Sequence, residues 1–254
     1  VTIGARGGVG ATTIATNGAW MLAEEQNQKV VLVDLDLQFG STALSLDLVP
    51  AGGMIETLRN PDRVDALFLA SALVPKTANF SVLAAEEDLA RDASYSSAGI
   101  ERLIEELRRS FDWVWIDIPR TLCYVNANVI SDASHIYVVS DLSLAGMRDT
   151  MRVANYCDGL NRDSDIAVIL NRTGGAKGIP AAQFGKGVPK PVIARLPEDP
   201  KAGNAATTGK PVAQIAGRGK FAVGLRKIVQ EIAPLPKKRR GLLSFRKADA
   251  QAQA

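Results

Sequence analysis

The 254-residue sequence has little of what several common kinds of functional site require. Its single histidine, His135, leaves almost no material for a histidine-based metal site or for histidine catalysis. Its two cysteines, Cys123 and Cys157, are too few for a disulfide framework and favour a reducing compartment. No apolar run is long enough to span a membrane, and no signal peptide is visible. We therefore expect a cytoplasmic protein.

The composition is that of one ordinary globular domain. Hydrophobic residues make up 46% and charged residues 22% of the chain, which is long enough to bury a sizeable core without metal or disulfide cross-links. The chain begins at Val1 rather than at methionine, inside an apparent strand. We therefore expect it to be a piece of a longer protein.

Positive charge is concentrated at one end of the chain. Residues 235–254 contain six bases and one acid, and residues 1–234 contain 24 bases and 26 acids. A mildly acidic body does not predict a nucleic-acid-binding face, so we expect no specific nucleic-acid partner. We expect an α/β domain over 1–234 and a basic, flexible tail over 235–254, which ends in a low-complexity stretch.

Apolar runs alternate with amphipathic stretches along the body. The pattern predicts strands at 1–3, 30–33, 81–83, 113–116, 136–139, 166–170 and 191–194, and helices at about 12–27, 100–111 and 148–160. Strands separated by helix-length segments predict a doubly wound, mostly parallel α/β sheet with helices on both faces. Ligands of such sheets bind at the carboxyl ends of the strands.

A glycine-rich segment between the first strand and the first helix is the most informative motif. It has the strand-loop-helix context of a phosphate-binding loop, in which backbone amides and the helix N-terminus face an anion. A threonine hydroxyl there can ligate Mg²⁺. An ordinary glycine-rich turn is the weaker alternative. The segment consists of Arg6, Gly7, Gly8, Val9, Gly10, Ala11, Thr12 and Thr13.

Carboxylates follow two of the predicted strands. Asp34 and Asp36 end the second strand and face the same side by alternation, and Asp117 ends the strand that begins at Trp113. Each aspartate alone is equally well explained as a solvated strand end. Together, behind one phosphate-binding loop, the three favour a site for a metal and a nucleotide.

These motifs resemble the MinD/ParA family of ATPases, whose loop reads Lys-Gly-Gly-x-Gly-Lys-Thr-Thr. Arg6 matches the first lysine, which in the family reaches the partner subunit's nucleotide, and Ala11 matches the phosphate-binding lysine. The resemblance implies bound ATP or ADP with Mg²⁺ and a homodimer around the nucleotide. It also implies that Asp36 orients the attacking water and that Thr12 and Asp117 hold the metal.

The resemblance continues on the base-binding side and extends to about Ile232. Asn171 and Arg172 resemble the family's adenine-side pair, and Pro197 and Glu198 resemble a segment that passes the adenine in relatives. A Gly-x-Pro-Val segment at 209–212 follows in the expected order. Arg120 lies where the family senses the γ-phosphate, and we hypothesise that it partly replaces the charge missing at Ala11. An ordinary surface arginine is an equally good interpretation of Arg120.

The altered loop narrows the resemblance to the CpaE/TadZ branch, as do the segments at 50–53 and 82–85. This branch implies a role in localising and assembling a type IV (Flp/Tad) pilus or secretion apparatus at a cell pole. Its partners would be that machinery and polar-localisation proteins. A receiver-like domain typically precedes the ATPase-like domain in this branch, which would explain a start at Val1.

Ala11 leaves several functions open. The lysine that Ala11 replaces makes a charge-assisted hydrogen bond to phosphate, and one such bond contributes about 1.5–3 kcal/mol. Its loss predicts roughly 10- to 150-fold weaker nucleotide binding. It also predicts weak or absent ATP hydrolysis, because the same lysine stabilises charge that develops during phosphoryl transfer. A nucleotide-independent scaffold is the close alternative, and an active ParA-type DNA-partition ATPase is the weaker one. The basic tail is either solvated or a peripheral contact with the inner membrane or a partner.

Overall fold

A computed structural model of the protein describes residues 1–160, 163–174 and 178–234. The predicted tail, 235–254, lies outside the described residues. Within the described ranges, eight strands form one sheet, in which every neighbouring pair is parallel except β3 with β4. The sheet order is β3-β4-β2-β5-β1-β6-β7-β8, with β1 (Thr2–Gly4), β2 (Val30–Asp34), β3 (Val74–Pro75), β4 (Phe80–Leu83), β5 (Trp113–Ile118), β6 (His135–Ser140), β7 (Asp165–Thr173) and β8 (Val192–Pro197).

Helices cover both faces of this sheet, which confirms the predicted doubly wound α/β class. They are α1 (Ala11–Glu24), α2 (Thr42–Ser45), α3 (Met54–Arg59), α4 (Ala66–Ala72), α5 (Ser97–Arg108), α6 (Ala127–Ser131), α7 (Leu144–Leu160), α8 (Ala181–Gly187), α9 (Pro200–Thr207), α10 (Val212–Ile215) and α11 (Lys220–Ile232). Short 3₁₀ turns lie at Pro61–Arg63 and Arg120–Leu122. No helix in the described ranges is long and apolar enough to cross a bilayer.

Strand β2 shows how the sequence builds two cores. Its residues are buried throughout, as expected for a central parallel strand covered on both faces. Val30 and Leu32 belong to the core beneath α1 and α11, whereas Val31 and Val33 belong to the core beneath α5 and α7. Because successive side chains of a strand point to opposite faces, one apolar run supplies both layers.

Close packing fixes α1 against the centre of the sheet. The Trp115 ring lies on Gly18, where an added Cβ would come within 2.4 Å of a ring carbon. The Trp115 indole also donates a 2.8 Å hydrogen bond to the Thr2 hydroxyl of β1. These contacts hold the first turn of α1 beside the carboxyl ends of β1, β2 and β5, which are neighbours in the sheet.

The structure differs from the sequence-based prediction at several boundaries. Helix α1 ends at Glu24, and Asn27, predicted to be helical, has a left-handed φ of 53°. Strand β2 ends at Asp34, so Asp36 lies beyond the strand rather than at its end. The two-residue edge strand β3 was not predicted, because its length and its proline give no alternating pattern.

Candidate functional site

The glycine-rich loop joins β1 to α1 in the conformation that its glycines permit. Gly8 and Gly10 have φ values of 77° and 89°, in the left-handed region that favours glycine. Val9, between them, is 3% exposed and points into the core. Gly8 and Gly10 therefore turn the backbone on both sides of the buried Val9 side chain. Because Val9 is packed in the core, these two turns fix the conformation of the loop.

Asn171, at the end of β7, holds this loop from the other side. Its amide group donates a 2.9 Å hydrogen bond to the Val9 carbonyl oxygen, and its side chain is buried. An added Cβ at Gly10 would lie 2.5 Å from the same amide nitrogen, so any side chain at position 10 would displace the contact. Asn171, predicted to read the adenine, therefore commits one of its two amide protons to positioning the loop.

The N-terminus of α1 presents backbone amides to the loop's concave side. The first turn of a helix has N–H groups without intrahelical partners, and they carry partial positive charge. Within the described part of the chain, no side chain caps this turn, and its first residues include no acid. Ala11, Thr12 and Thr13 form the turn, so this end of α1 is suited to an anion even without a lysine.

Two buried carboxylates lie next to each other behind the loop. Asp34 and Asp117 are directly paired in the β2–β5 ladder and are 2% and 6% exposed. Burial, then repulsion by Asp34, raises the pKa of Asp117 to about 7, and burial raises the pKa of Asp34. The Thr12 hydroxyl donates a 2.6 Å hydrogen bond to Asp117. The loop's first helical turn and the carboxylates therefore form one site.

Asp34 and Asp36 also shape the segment that follows β2. Asp34 accepts hydrogen bonds from the backbone amides of Asp36 and Thr42, at 3.0 and 3.2 Å. Asp36 accepts one from the Phe39 amide at 3.0 Å. Although Asp36 lies beyond the strand, it still lines the same cleft as Asp34, which is the proximity that the sequence predicted.

The three predicted arginines reach the site in different ways. Arg6 donates a 3.0 Å hydrogen bond to Ser143 and lies 3.7 Å from Asp141, so its guanidinium is held within its own chain. Arg120 is exposed and lies beside the loop, where a Cβ at Gly7 would be 3.9 Å from its guanidinium. Arg172 is exposed, with a left-handed φ of 53°.

These residues surround a cleft of about 470 Å³, a volume within the range of small-molecule sites. Of the predicted site residues, Asn171, Pro197 and Glu198 lie outside its lining. Pro197 pairs with Thr173, one residue past Arg172, and the Glu198 amide donates to the Thr173 carbonyl. The lining comprises Gly4, Arg6, Gly7, Gly8, Val9, Gly10, Ala11, Thr12, Thr13, Asp34, Asp36, Phe39, Gly40, Ser41, Asp117, Ile118, Pro119, Arg120, Thr121 and Arg172.

The residues of the cleft fit a magnesium nucleotide. Two buried carboxylates with raised pKa values are the environment that a divalent cation would stabilise. In the described ranges, no three acidic, histidine or cysteine side chains converge as a complete metal cage. Mg²⁺ characteristically takes one or two carboxylates and completes its shell with water and phosphate oxygens, which matches Thr12 and Asp117 beside an anion-binding loop.

Sequence reasoning missed the residues that restrain Arg6. Asp141 and Ser143 follow β6 directly, at the same carboxyl edge as the predicted site residues. The Ser143 hydroxyl donates to Asp141 at 2.6 Å and accepts from the Gly146 amide at 2.9 Å. Their position after a central strand was the only available signal.

The sheet order, the loop and the paired carboxylates define a domain with the P-loop NTPase fold. A family model described as an AAA domain matches residues 1–167. The septum site-determining protein MinD of Synechocystis sp. is 28% identical over 177 residues, which are 68% of this chain. This chain spans 63% of that relative's length.

Solved structures share the whole fold. The ParA family ATPase of Chlorobium tepidum superposes with a TM-score of 0.82 at 20% identity, over 91% of this chain and 96% of its own. The MinD of Pyrococcus horikoshii, solved with Mg-ADP, superposes with a TM-score of 0.77 at 23% identity, over 91% and 95%. The chain belongs to the AAA-domain family of MinD/ParA-type P-loop ATPases.

Proposed function

We propose that this chain binds ATP with Mg²⁺ and hydrolyses it weakly or not at all, and that it acts as a nucleotide-dependent positioning protein. The observation that carries the proposal is the backbone conformation of the loop, which does not depend on the missing lysine. Gly8 and Gly10 keep their left-handed turns, Asn171 holds the Val9 carbonyl, and the first turn of α1 faces the cleft. A backbone cradle of this kind binds phosphate without requiring any particular side chain.

Weak hydrolysis follows from the charges in the cleft. Phosphoryl transfer depends on cations that stabilise the charge developing on the γ-phosphate. Ala11 supplies none, and Arg6 is engaged by Ser143 and Asp141. Arg120, beside Gly7, and Arg172 also line the cleft, and Arg120 is the one we assign to the phosphates. Asp36 would orient water, as the family resemblance implies, but with less electrostatic support for the transition state.

Dimerisation around nucleotide is the second element of the proposal. The Arg6 side chain is 39% exposed, and its partners among the described residues, Ser143 and Asp141, lie in the loop after β6, so it can turn outward toward a second copy. Large apolar side chains around the cleft support a contact surface there. Phe39 lines the cleft at 73% exposure, Tyr124 follows the Arg120 turn at 78%, and Leu144 follows Ser143 at 71%.

The biological role that we propose is the localisation and assembly of a type IV (Flp/Tad) pilus or secretion apparatus, at a cell pole and at the inner membrane. Its support is the altered loop and the segments at 50–53 and 82–85, which resemble the CpaE/TadZ branch. Deleting the gene and imaging both pili and a fluorescent fusion tests this role. Unchanged piliation together with diffuse fluorescence would contradict it.

Nucleotide binding is tested by calorimetry with Mg-ATP on the wild type and two matched glycine variants. Gly10→Ala places a methyl group at a φ of 89° and within 2.5 Å of Asn171, so we expect it to abolish binding. Gly159→Ala, on α7 with nothing within 4 Å, should bind like the wild type. An absence of binding in the wild type would contradict the proposal and favour a nucleotide-independent scaffold. The Thr12–Asp117 hydrogen bond, which pairs these two groups with each other rather than with a cation, is compatible with that alternative.

A further inference from the structure

A second cavity lies at the opposite end of the sheet from the phosphate-binding loop. It has a volume of about 530 Å³ and opens where β5 and β6 begin, between α5 and α6. Its floor is apolar and aromatic, with Phe111, Trp113 and Val129 among its members. Because parallel strands place their nucleotide-binding ends at the other edge, this groove is separate from the cleft described above. We call it the lower groove.

The lower groove has an acidic rim. Glu101 and Glu105 line it from α5, Asp112 from the turn before β5, and Asp132 from the end of α6. Arg108 is the single lysine or arginine among the described lining residues, and it pairs with Asp132. These lining side chains carry a net charge of −3, and Arg102, which pairs with Glu105 from outside the lining, offsets one of the negative charges.

One cation lies at the aromatic floor, the Lys29 ammonium, 5.4 Å from the centre of the Phe111 ring, and His135 adds none. The His135 imidazole is stacked between Trp113 and Tyr137, with ring centroids 6.2 and 6.5 Å away. Burial lowers the pKa of His135, so the ring is neutral at neutral pH despite Asp165 nearby. An occupant of the lower groove would therefore meet an aromatic and aliphatic floor beneath a negative rim.

The chain itself carries a segment of matching chemistry. Ile232, the last residue of α11, lines the lower groove, and residues 235–254 begin three positions later. An extended chain covers about 3.3 Å per residue, so eleven residues beyond Pro234 can reach roughly 36 Å. That reach includes four bases and then Leu242, Leu243 and Phe245, and two more bases follow at once.

We propose that residues 237–247 bind in the lower groove of their own chain. The bases meet the acidic rim, and Leu242, Leu243 and Phe245 cover the aromatic floor. The tail is joined to the domain through α11, so its contact with the groove is intramolecular. The high effective concentration of the tail at the groove therefore favours even a weak interaction. The same bases would be attracted to an anionic membrane, and docking would withhold them from it.

The single histidine makes this proposal directly measurable in the full-length chain. A nitroxide label is attached at Ser244→Cys, and the imidazole signals of ¹³C-labelled His135 are recorded with the label oxidised and reduced. Labelling is selective because Cys123 and Cys157 are buried, which raises their pKa values to about 11 and about 12. We expect the oxidised label to broaden the His135 signals strongly, independently of protein concentration.

Matched charge-reversal variants test whether the acidic rim causes the broadening of the His135 signals. Glu101→Lys with Glu105→Lys should remove most of the broadening, as should 1 M salt, at which the Debye length falls from about 10 Å to about 3 Å. Asp62→Lys with Glu86→Lys reverses two exposed acids away from the groove and should leave the broadening unchanged. Absence of broadening, broadening that persists in the rim variant, or broadening that grows with concentration, as for a second copy's tail, would each overturn the proposal.

Discussion

Restoring the missing lysine is the most informative perturbation of the cleft. Ala11 opens α1 and lines the cleft, so a lysine at this position would extend toward bound phosphates and toward Asp34 and Asp117. The loop's shape depends on Gly8, Gly10 and the Asn171 contact, none of which the substitution changes. We therefore expect Ala11→Lys to increase the affinity for Mg-ATP without altering the fold.

The structure indicates the size of the gain. One charge-assisted hydrogen bond contributes about 1.5–3 kcal/mol, which corresponds to roughly 10- to 150-fold in affinity. The new ammonium group would, however, pair with buried Asp34 and Asp117 before any nucleotide arrives, and that pairing offsets part of the gain. We therefore expect a value near the lower end of the range, about tenfold. The nucleotide-free variant should also unfold at higher denaturant concentration, because it relieves repulsion between these carboxylates.

Calorimetry with Mg-ATP measures the effect, and Ala11→Met provides the control, since it has a side chain of similar length without the charge. Methionine should leave the affinity at or below the wild-type value. If lysine and methionine gave the same affinity, the missing charge would not be what limits binding. The account of a weakened but functional phosphate-binding loop would then be refuted.

Three further predictions concern single positions. Gly18→Ala should lower stability by about 1–3 kcal/mol in thermal unfolding, because its methyl group would overlap the Trp115 ring, whereas Gly159→Ala on α7 should be neutral or slightly stabilising. Burial holds the folded-state pKa of His135 below its ordinary 6.5, so the unfolded chain binds that proton more readily. The free energy of unfolding should therefore fall as pH drops through 6.5 toward the folded-state pKa, and less so in His135→Asn; equal slopes in urea titrations would contradict this. Arg120→Ala should weaken Mg-ATP binding roughly tenfold or more if this arginine faces the phosphates, and unchanged affinity would end that assignment.

The fold was predictable because its signals are local. The run from Val30 to Val33 is apolar at every position, which identifies a strand buried on both faces, and the regular alternation of such runs with helices identifies the sheet. Strand β3 was not predictable, because two residues including a proline pair with β4 only through tertiary contacts. The end of β2 was also missed, since the chain bends where Asp34 accepts the Asp36 amide.

The sequence predicted which residues form the candidate site better than it predicted the hydrogen bonds between them. The loop motif and the strand-end aspartates identified the cleft because a parallel sheet gathers such residues at one edge. The sequence could not show that Asn171 holds the Val9 carbonyl, or that Arg6 rests on Ser143, since both contacts join segments more than 130 residues apart. Which of a residue's available hydrogen bonds forms is decided by packing, not by its position in a motif.

The most direct test is an amide NMR titration of the full-length, ¹⁵N-labelled chain with Mg-ATP. If the backbone of the loop binds phosphate without its lysine, the amide signals of Gly7 through Thr13 will shift together and saturate. Signals from the lower groove, such as those of Trp113 and His135, will stay in place. Saturating shifts elsewhere with none in the loop, or no shifts at millimolar nucleotide, would contradict the account.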